Sequence, residues 1–101
     1  MASAPDTTAV MCANDVLAIG ALRAAREIGL NVPGDLSITG FDDIDIALLA
    51  EPALTTVHVP HREMGRRAAG PLIQMLREGE VGEPVKLPTD IRLRQSLSKR
   101  R

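Results

Sequence analysis

The first forty residues alternate between apolar runs and polar breaks in a pattern typical of a β-α-β unit. Residues 9–13 form a continuous apolar run that ends at Asn14 and Asp15, which predicts a parallel strand covered on both faces. Residues 15–28 predict a helix, and residues 36–41 predict a second strand, parallel to the first because a crossover helix joins them. The apolar stripe of this helix consists of Leu17, Ala18, Ala21, Leu22, Ala25 and Ile28.

Shorter elements are predicted beyond the second strand. Residues 45–50 predict one helical turn, and residues 54–59 predict a third, β-branched strand that ends at Pro60. Residues 85–87 and 91–94 alternate between apolar and polar side chains, which predicts two half-exposed strands.

A longer helix is predicted over residues 61–78, with Gly79 at its end. Pro71 lies inside it and has no backbone N–H for the carbonyl of Arg67, which predicts a kink. No predicted strand covers its apolar stripe, so the stripe is expected to be more accessible than the core side of the first helix. Met64, Leu72 and Met75 are therefore expected to be more exposed to solvent than Leu17, Leu22 and Ile28.

Composition excludes several classes of protein. A chain of 101 residues is one domain at most, and 12 basic against 13 acidic side chains argue against a basic surface for nucleic acid or a membrane. No apolar run spans a bilayer and the N-terminus does not resemble a signal peptide, so a cytoplasmic protein is expected. Cys12 is a single cysteine, which predicts a buried thiol, and no Cys/His spacing fits a zinc site. Neither a metal nor another cofactor is expected.

Polar residues follow both strands of the β-α-β unit, at the sheet edge where ligands of open α/β sheets bind. Asn14 and Asp15 follow the first strand, and Phe41, Asp42 and Asp43 follow the second. We therefore expect Asn14 and Asp42 to lie close together and to bind a neutral, hydroxyl-rich ligand. Spacing leaves an alternative open, in which the first pair only caps a helix and the two aspartates only form a turn.

Catalysis has little support in the sequence. Asp42, Asp43 and Asp45 are candidates for a Mg²⁺ site or for acid/base chemistry, but consecutive strand residues point to opposite faces. His58 and His61 accompany no nucleophile at a strand-to-helix elbow, so both are interpreted as incidental. No catalytic residue is predicted.

The C-terminal residues 92–101 carry five positive charges and no aromatic side chain. Phosphate contact is one interpretation of this segment. The favoured one is that Arg92 and Arg94 face solvent on an edge strand, while residues 98–101, like residues 1–7, are flexible.

Several motifs occur together in an order that resembles one protein family. The run CANDVLAIGALRAAREIGLNVPGDLSITGFDD, followed by LTTVHVP, EMGRRAA and LPTDIRLRQS, resembles the C-terminal part of the LacI/GalR family of bacterial transcriptional regulators. The resemblance covers residues 8–97. It implies an α/β, parallel-sheet fold of the periplasmic-binding-protein-like type I, of which this chain holds mostly the C-terminal subdomain.

The resemblance also implies a division of the chain and a set of partners. Residues 8–58 and 89–97 would belong to the C-terminal subdomain, and residues 61–87 to a piece of the N-terminal one. The expected partners are a small sugar-like or nucleobase-like effector and a second copy of the chain. Operator DNA would be bound only through a helix-turn-helix head that these residues lack, and no membrane partner is expected.

Site residues follow from the resemblance position by position. Asn14, Phe41 and Asp42 match effector-binding positions, and Val59 falls where many members have a polar residue, often Gln. The matched dimer surface comprises Val16, Ile19, Arg23, Leu48 and Leu49. Three alternatives stay open: a sugar-binding transport component of the same fold, a Mg²⁺-dependent enzyme, and a truncated remnant that only associates through its apolar surfaces.

Overall fold

Strands and helices alternate along the chain in the computed structural model, which describes residues 6–80 and 82–100. Within these ranges the elements, in chain order, are β1 (Ala9–Met11), α1 (Asp15–Glu27), β2 (Ser37–Thr39), α2 (Asp45–Leu49), β3 (Thr56–His58), α3 (His61–Glu78) and β4 (Asp90–Arg92). The chain forms two compact units. The first unit consists of the residues up to His58 together with those from Asp90 onward, and the second unit is Val59–Thr89. Of the segments predicted to be flexible, residues 1–5 and 101 lie outside the described ranges.

The predicted parallel β-α-β unit is confirmed. β1 and β2 pair in parallel, with Val10 opposite Ile38 at the centre of the register. The pairing extends beyond both strands, because the Ser37 N–H donates to the Thr8 carbonyl at 2.9 Å and the Cys12 N–H to the Thr39 carbonyl at 2.8 Å. Both strands are shorter than predicted, β1 ending at Met11 and β2 at Thr39.

β3 joins this arrangement on the other side of β2. Isolated parallel bridges link Thr39 with Thr55 and Asp42 with His58. β3 also pairs with β4, in antiparallel register from Thr56–Arg92 to His58–Asp90.

Ser96, which follows β4, connects the C-terminal segment to the middle of the sheet. Its fully buried hydroxyl donates to the Ile38 carbonyl at 2.5 Å and accepts from the Thr55 N–H at 2.9 Å. The Ile38 N–H in turn donates to the Ser96 carbonyl at 2.9 Å. Ser96 therefore satisfies buried backbone groups of both β2 and the residues that enter β3.

The core of the first unit lies between α1, α2 and the strands, and it is entirely aliphatic. Asn14 caps α1 by accepting the Leu17 N–H at 2.8 Å, and Gly29 supplies the left-handed residue after the helix end. The buried apolar cluster consists of Ala18, Leu22, Ala25, Leu36, Ile38, Ala47 and Leu54.

Two expectations about burial are wrong. β1 is not covered on both faces: Met11 is 86% exposed, because Val10 and Cys12 pack on the core and their neighbours in the strand point away from it. The apolar stripe of α1 is also narrower than predicted, since Leu17 and Ile28 are 55% and 64% exposed. The buried apolar positions of α1 are Ala18, Leu22 and Ala25, spaced i, i+4 and i+7, and the half-buried Ile19 and Ala21 pack beside them.

The prediction of a strand at residues 85–87 is also wrong. Residues 82–89 have no regular structure, and β4 begins only at Asp90. Pro84 and Pro88 flank the predicted strand and remove two backbone donors, which disfavours a ladder at this position.

The helix of the second unit has the predicted bounds. α3 runs without interruption through Gly70 and Pro71, and the left-handed Gly79 ends it by donating its N–H to the Met75 carbonyl at 2.8 Å. No described helix is long and apolar enough to cross a membrane.

No residue of α3 is buried, whereas α1 buries four. The apolar stripe of α3 was expected to be more exposed than that of α1. This prediction is confirmed only for the comparison with Leu22, which is buried. Met64 and Leu72 are exposed and Met75 is half-buried, but Leu17 and Ile28 are no better covered.

Candidate functional site

The ends of β1 and β2 meet at one edge of the sheet, as the parallel pairing requires. The Asp15 N–H donates to the Phe41 carbonyl at 3.0 Å, which joins the two connecting segments directly. Asn14 and Asp42 are both half-buried, and Phe41 is 41% exposed. The residues predicted to share this edge therefore lie on connections that are hydrogen-bonded to each other.

Asp15 has a structural role beneath this edge. Its side chain is buried, with Oδ1 accepting from the Thr56 hydroxyl at 2.6 Å and Oδ2 accepting from the Ile44 N–H at 2.8 Å. One carboxylate thus ties the start of α1 to the residues after β2 and to β3. Because both oxygens are engaged and covered, Asp15 is not available to a ligand.

Gly40 lies directly against this carboxylate. A Cβ at this position would come within 3.0 Å of Leu54 Cδ2 and 3.2 Å of Asp15 Cα, and still closer to Asp15 Oδ1. Only a residue without a side chain fits between the core and the Asp15 carboxylate.

The site loop, residues 41–44, has an unusual backbone. Asp42 and Asp43 have φ values of 112° and 58°, a region that residues with a side chain seldom adopt. The Asp42 N–H donates to the Val57 carbonyl at 3.0 Å. The two aspartates therefore do not continue β2 as successive strand residues that point to opposite faces. Asp42 instead forms an isolated parallel bridge with His58.

Asp43 forms two charged contacts at this edge. Its carboxylate contacts His58 Nδ1 at 2.8 Å and Arg94 Nη2 at 2.8 Å, and its side chain is 12% exposed. Burial works against the charged form, but the hydrogen bonds from His58 and Arg94, together with their charges, lower the pKa of Asp43 below its ordinary value.

Two predictions about charged residues are corrected by these contacts. Arg94 does not face solvent, because its side chain is 15% exposed and its Nη1 donates to the Leu54 carbonyl at 2.9 Å. His58 is not incidental, since it pairs with Asp43. Both contacts join residues far apart in the sequence, and residue spacing therefore gave no signal for them.

The remaining candidates are possible metal ligands, the single cysteine and Val59. Among residues 6–80 and 82–100, no group of three His, Cys, Asp or Glu side chains is placed to hold a metal ion. Cys12 is half-buried, and burial raises the pKa of its thiol, which favours the unreactive protonated form. Val59, the fourth predicted ligand residue, begins the second unit and is buried.

The predicted dimer surface includes a groove between α1 and α2. Ile19, Arg23 and Leu49 are among the residues that line this groove, which has a volume of about 480 Å³. Leu49 is 80% exposed, and Val16 and Leu48 are exposed on the same two helices. The two helices thus carry apolar side chains that no described residue of the first unit covers.

Comparisons with known proteins identify the family. The model of the periplasmic binding protein-like domain matches residues 1–97. The lactose operon repressor of Rhizobium radiobacter is 37% identical over 91 residues, which cover 90% of this chain and 80% of that protein. The chain belongs to the LacI/GalR family of transcriptional regulators.

Other members of the LacI/GalR family agree with this assignment. The transcriptional regulator MalR of Streptomyces coelicolor is 49% identical over 69 residues, which cover 68% of this chain and 20% of MalR. A solved structure described as the transcriptional regulator CelR–cellobiose complex superposes with a TM-score of 0.83 and 41% identity, over 92% of this chain and 29% of CelR.

The LacI/GalR relatives also settle two points of the sequence analysis. They are named as transcriptional regulators and repressors and not as enzymes, so the Mg²⁺-dependent enzyme is discarded. The fold is the expected periplasmic-binding-protein-like α/β fold. The chain spans about a fifth of the length of MalR.

Proposed function

We propose that this LacI-family chain is the effector-sensing and dimerisation portion of a cytoplasmic transcriptional regulator. The single observation that supports it best is the meeting of the β1 and β2 connections at one sheet edge, with Asn14, Phe41 and Asp42 on them. A sugar-like or nucleobase-like ligand suits this edge. The Asp42 carboxylate can accept hydrogen bonds from hydroxyl or N–H groups, and the exposed Phe41 ring offers an apolar face.

Operator DNA is expected to be bound outside the present residues. The chain has a formal net charge of −1 and lacks the excess of basic residues that phosphate neutralisation requires. DNA would therefore be bound through a helix-turn-helix domain outside residues 1–101, and the present residues would sense the effector. A transport component of the same fold is less well supported, because the relatives named above are regulators.

Ligand binding is tested by titrating the ¹⁵N-labelled chain with cellobiose, lactose and adenine and following the backbone amides. One of these ligands is expected to shift the amide signals of Asn14, Phe41 and Asp42 and to leave that of Ala25 unchanged. Asp42→Asn is expected to weaken this binding about tenfold, since a hydrogen bond to a charged group is lost.

Asp45→Asn is the control for this experiment, because Asp45 is an exposed carboxylate close in sequence at the start of α2. The Asp45→Asn variant should bind the ligand with the same affinity as the unchanged chain. Absence of binding by all three ligands, or shifts confined to another surface, would contradict an effector site at this edge.

Dimerisation is tested with Leu49→Glu, since Leu49 is exposed and a charge there should not disturb the core. The unchanged chain is expected to sediment as a dimer at micromolar concentration, because exposed aliphatic patches of this kind mark interfaces. The Leu49→Glu variant should shift the equilibrium to monomer. Its dimer dissociation constant should rise at least about tenfold, because burial of one unpaired charge costs more than about 1.4 kcal/mol.

Ile91→Glu provides the matched control, because Ile91 is 67% exposed on β4, outside the predicted dimer surface. It should leave the sedimentation coefficient unchanged. A stable monomer of the unchanged chain, or equal effects of the two substitutions, would rule out a dimer through α1 and α2.

A further inference from the structure

The Asp43 carboxylate connects parts of the first unit that are distant in sequence. One oxygen, Oδ2, contacts His58 Nδ1 on β3, and the other, Oδ1, contacts Arg94 Nη2 after β4, each at 2.8 Å. Arg94 is itself fixed, since its Nη1 donates to the Leu54 carbonyl and its backbone N–H to the Thr55 hydroxyl, both at 2.9 Å. The carboxylate is thus held from two sides by groups anchored on β3 and the residues before it.

This contact determines which nitrogen of His58 carries the proton. An ionised carboxylate only accepts hydrogen bonds, so Nδ1 must donate to Asp43. A neutral imidazole has one N–H, which leaves Nε2 with a lone pair and makes it an acceptor. The His58 side chain is 38% exposed, so part of the ring is accessible to solvent.

His58 is placed at the same edge as the site loop. A parallel bridge pairs it with Asp42, whose N–H donates to the neighbouring Val57 carbonyl at 3.0 Å. Asp42 and Asp43 both have left-handed backbone conformations, and such conformations persist only where surrounding contacts hold them. The Asp43 side chain supplies two such contacts from within the strained segment.

We propose that Asp43 is a positioning residue of the candidate effector site, and that His58 is an additional ligand contact. Asp43 holds the site loop in its left-handed conformation and orients the His58 ring so that Nε2 accepts a hydrogen bond from a ligand hydroxyl or N–H. An acceptor at this position favours a neutral ligand that carries hydrogen-bond donors. The ligand contact rests on the proposed function of this edge.

The tautomer is measured directly by ¹⁵N spectroscopy of the histidine rings in the intact chain, at about pH 9, where imidazoles are in general neutral. His61→Gln assigns the two histidines. His58 is expected to show a single tautomer protonated at Nδ1, whereas a ring protonated mainly at Nε2 would overturn the proposal without any substitution.

Asp43→Asn tests the positioning role, because an amide keeps the size of the side chain but can donate as well as accept. We expect the single tautomer of His58 to be lost and the amide signals of residues 41–44 to shift, while those of Ala18 and Leu22 stay in place. Glu27→Gln is the control, since it removes a carboxylate that pairs with Arg23 on the surface of α1. An unchanged tautomer and unchanged loop signals in Asp43→Asn would overturn the positioning role.

Titration with cellobiose, lactose and adenine separates this proposal from the proposed function. If one of them binds at the edge, the His58 Nε2 signal should shift on saturation, and a stationary signal would overturn the ligand contact alone. If none binds, the proposed function and the ligand contact fail together, while the tautomer and the loop signals still decide whether Asp43 positions this edge.

Discussion

Gly40→Ala is expected to lower the free energy of unfolding by about 3 kcal/mol, the upper part of the usual range for overpacking a core. The added methyl group would lie 3.0 Å from Leu54 Cδ2 and closer to Asp15 Oδ1. The Asp15 carboxylate cannot rotate away without losing its hydrogen bonds to Thr56 and Ile44. Urea unfolding followed by circular dichroism measures the change.

Gly20→Ala is the control for this prediction, because Gly20 lies within α1 and an added Cβ meets nothing within 4 Å. Alanine should stabilise the chain there by up to about 1 kcal/mol, owing to its higher helix propensity. If Gly40→Ala left the urea midpoint unchanged, the close approach of Asp15 to Gly40 would be disproved.

Asp15→Ala is expected to lower the free energy of unfolding by about 4 kcal/mol, the largest effect we expect from one substitution. It removes the acceptor of the Thr56 hydroxyl and of the Ile44 N–H, and each buried donor left unsatisfied costs about 2 kcal/mol. Thermal unfolding by calorimetry should show a correspondingly lower midpoint.

Asp45→Ala is the matched control, since Asp45 is also the first residue of a helix but is exposed. Its substitution should cost less than about 1 kcal/mol through the helix dipole alone. The double variant of Gly40→Ala and Asp15→Ala should be less destabilised than the sum of the two, because the absent carboxylate relieves part of the clash. Additive effects would mean that the two residues do not interact.

The local elements could be predicted because their signals lie within short stretches of sequence. Asn14 caps α1 and Gly79 ends α3, and both follow from side-chain chemistry within one helical turn. The parallel pairing of β1 and β2 followed from the crossover helix between them. The edge that carries Asn14 and Asp42 was therefore predictable, although their contact with a ligand stays a prediction.

The contacts that fix the edge could not be predicted in the same way. Asp43, His58 and Arg94 come together only because β3 pairs with β4, and neither propensity nor periodicity specifies that register. For Asp15 the sequence left a helix cap and a ligand contact as alternatives, since nothing in its neighbourhood indicates the buried hydrogen bond with the Thr56 hydroxyl. Gly40 did offer a signal, because a glycine at the end of a strand often marks a close approach of neighbouring atoms.

The antiparallel ladder of β3 and β4 has a consequence for how the chain can change in length. His58 and Asp90 face each other in this ladder, so the whole second unit is a loop whose ends are already joined by the first unit. The entropy of closing a flexible loop grows only with the logarithm of its length, so doubling the loop costs about 0.6 kcal/mol. Insertions or deletions between the two strands would thus change the second unit greatly while leaving the stability of the first almost untouched.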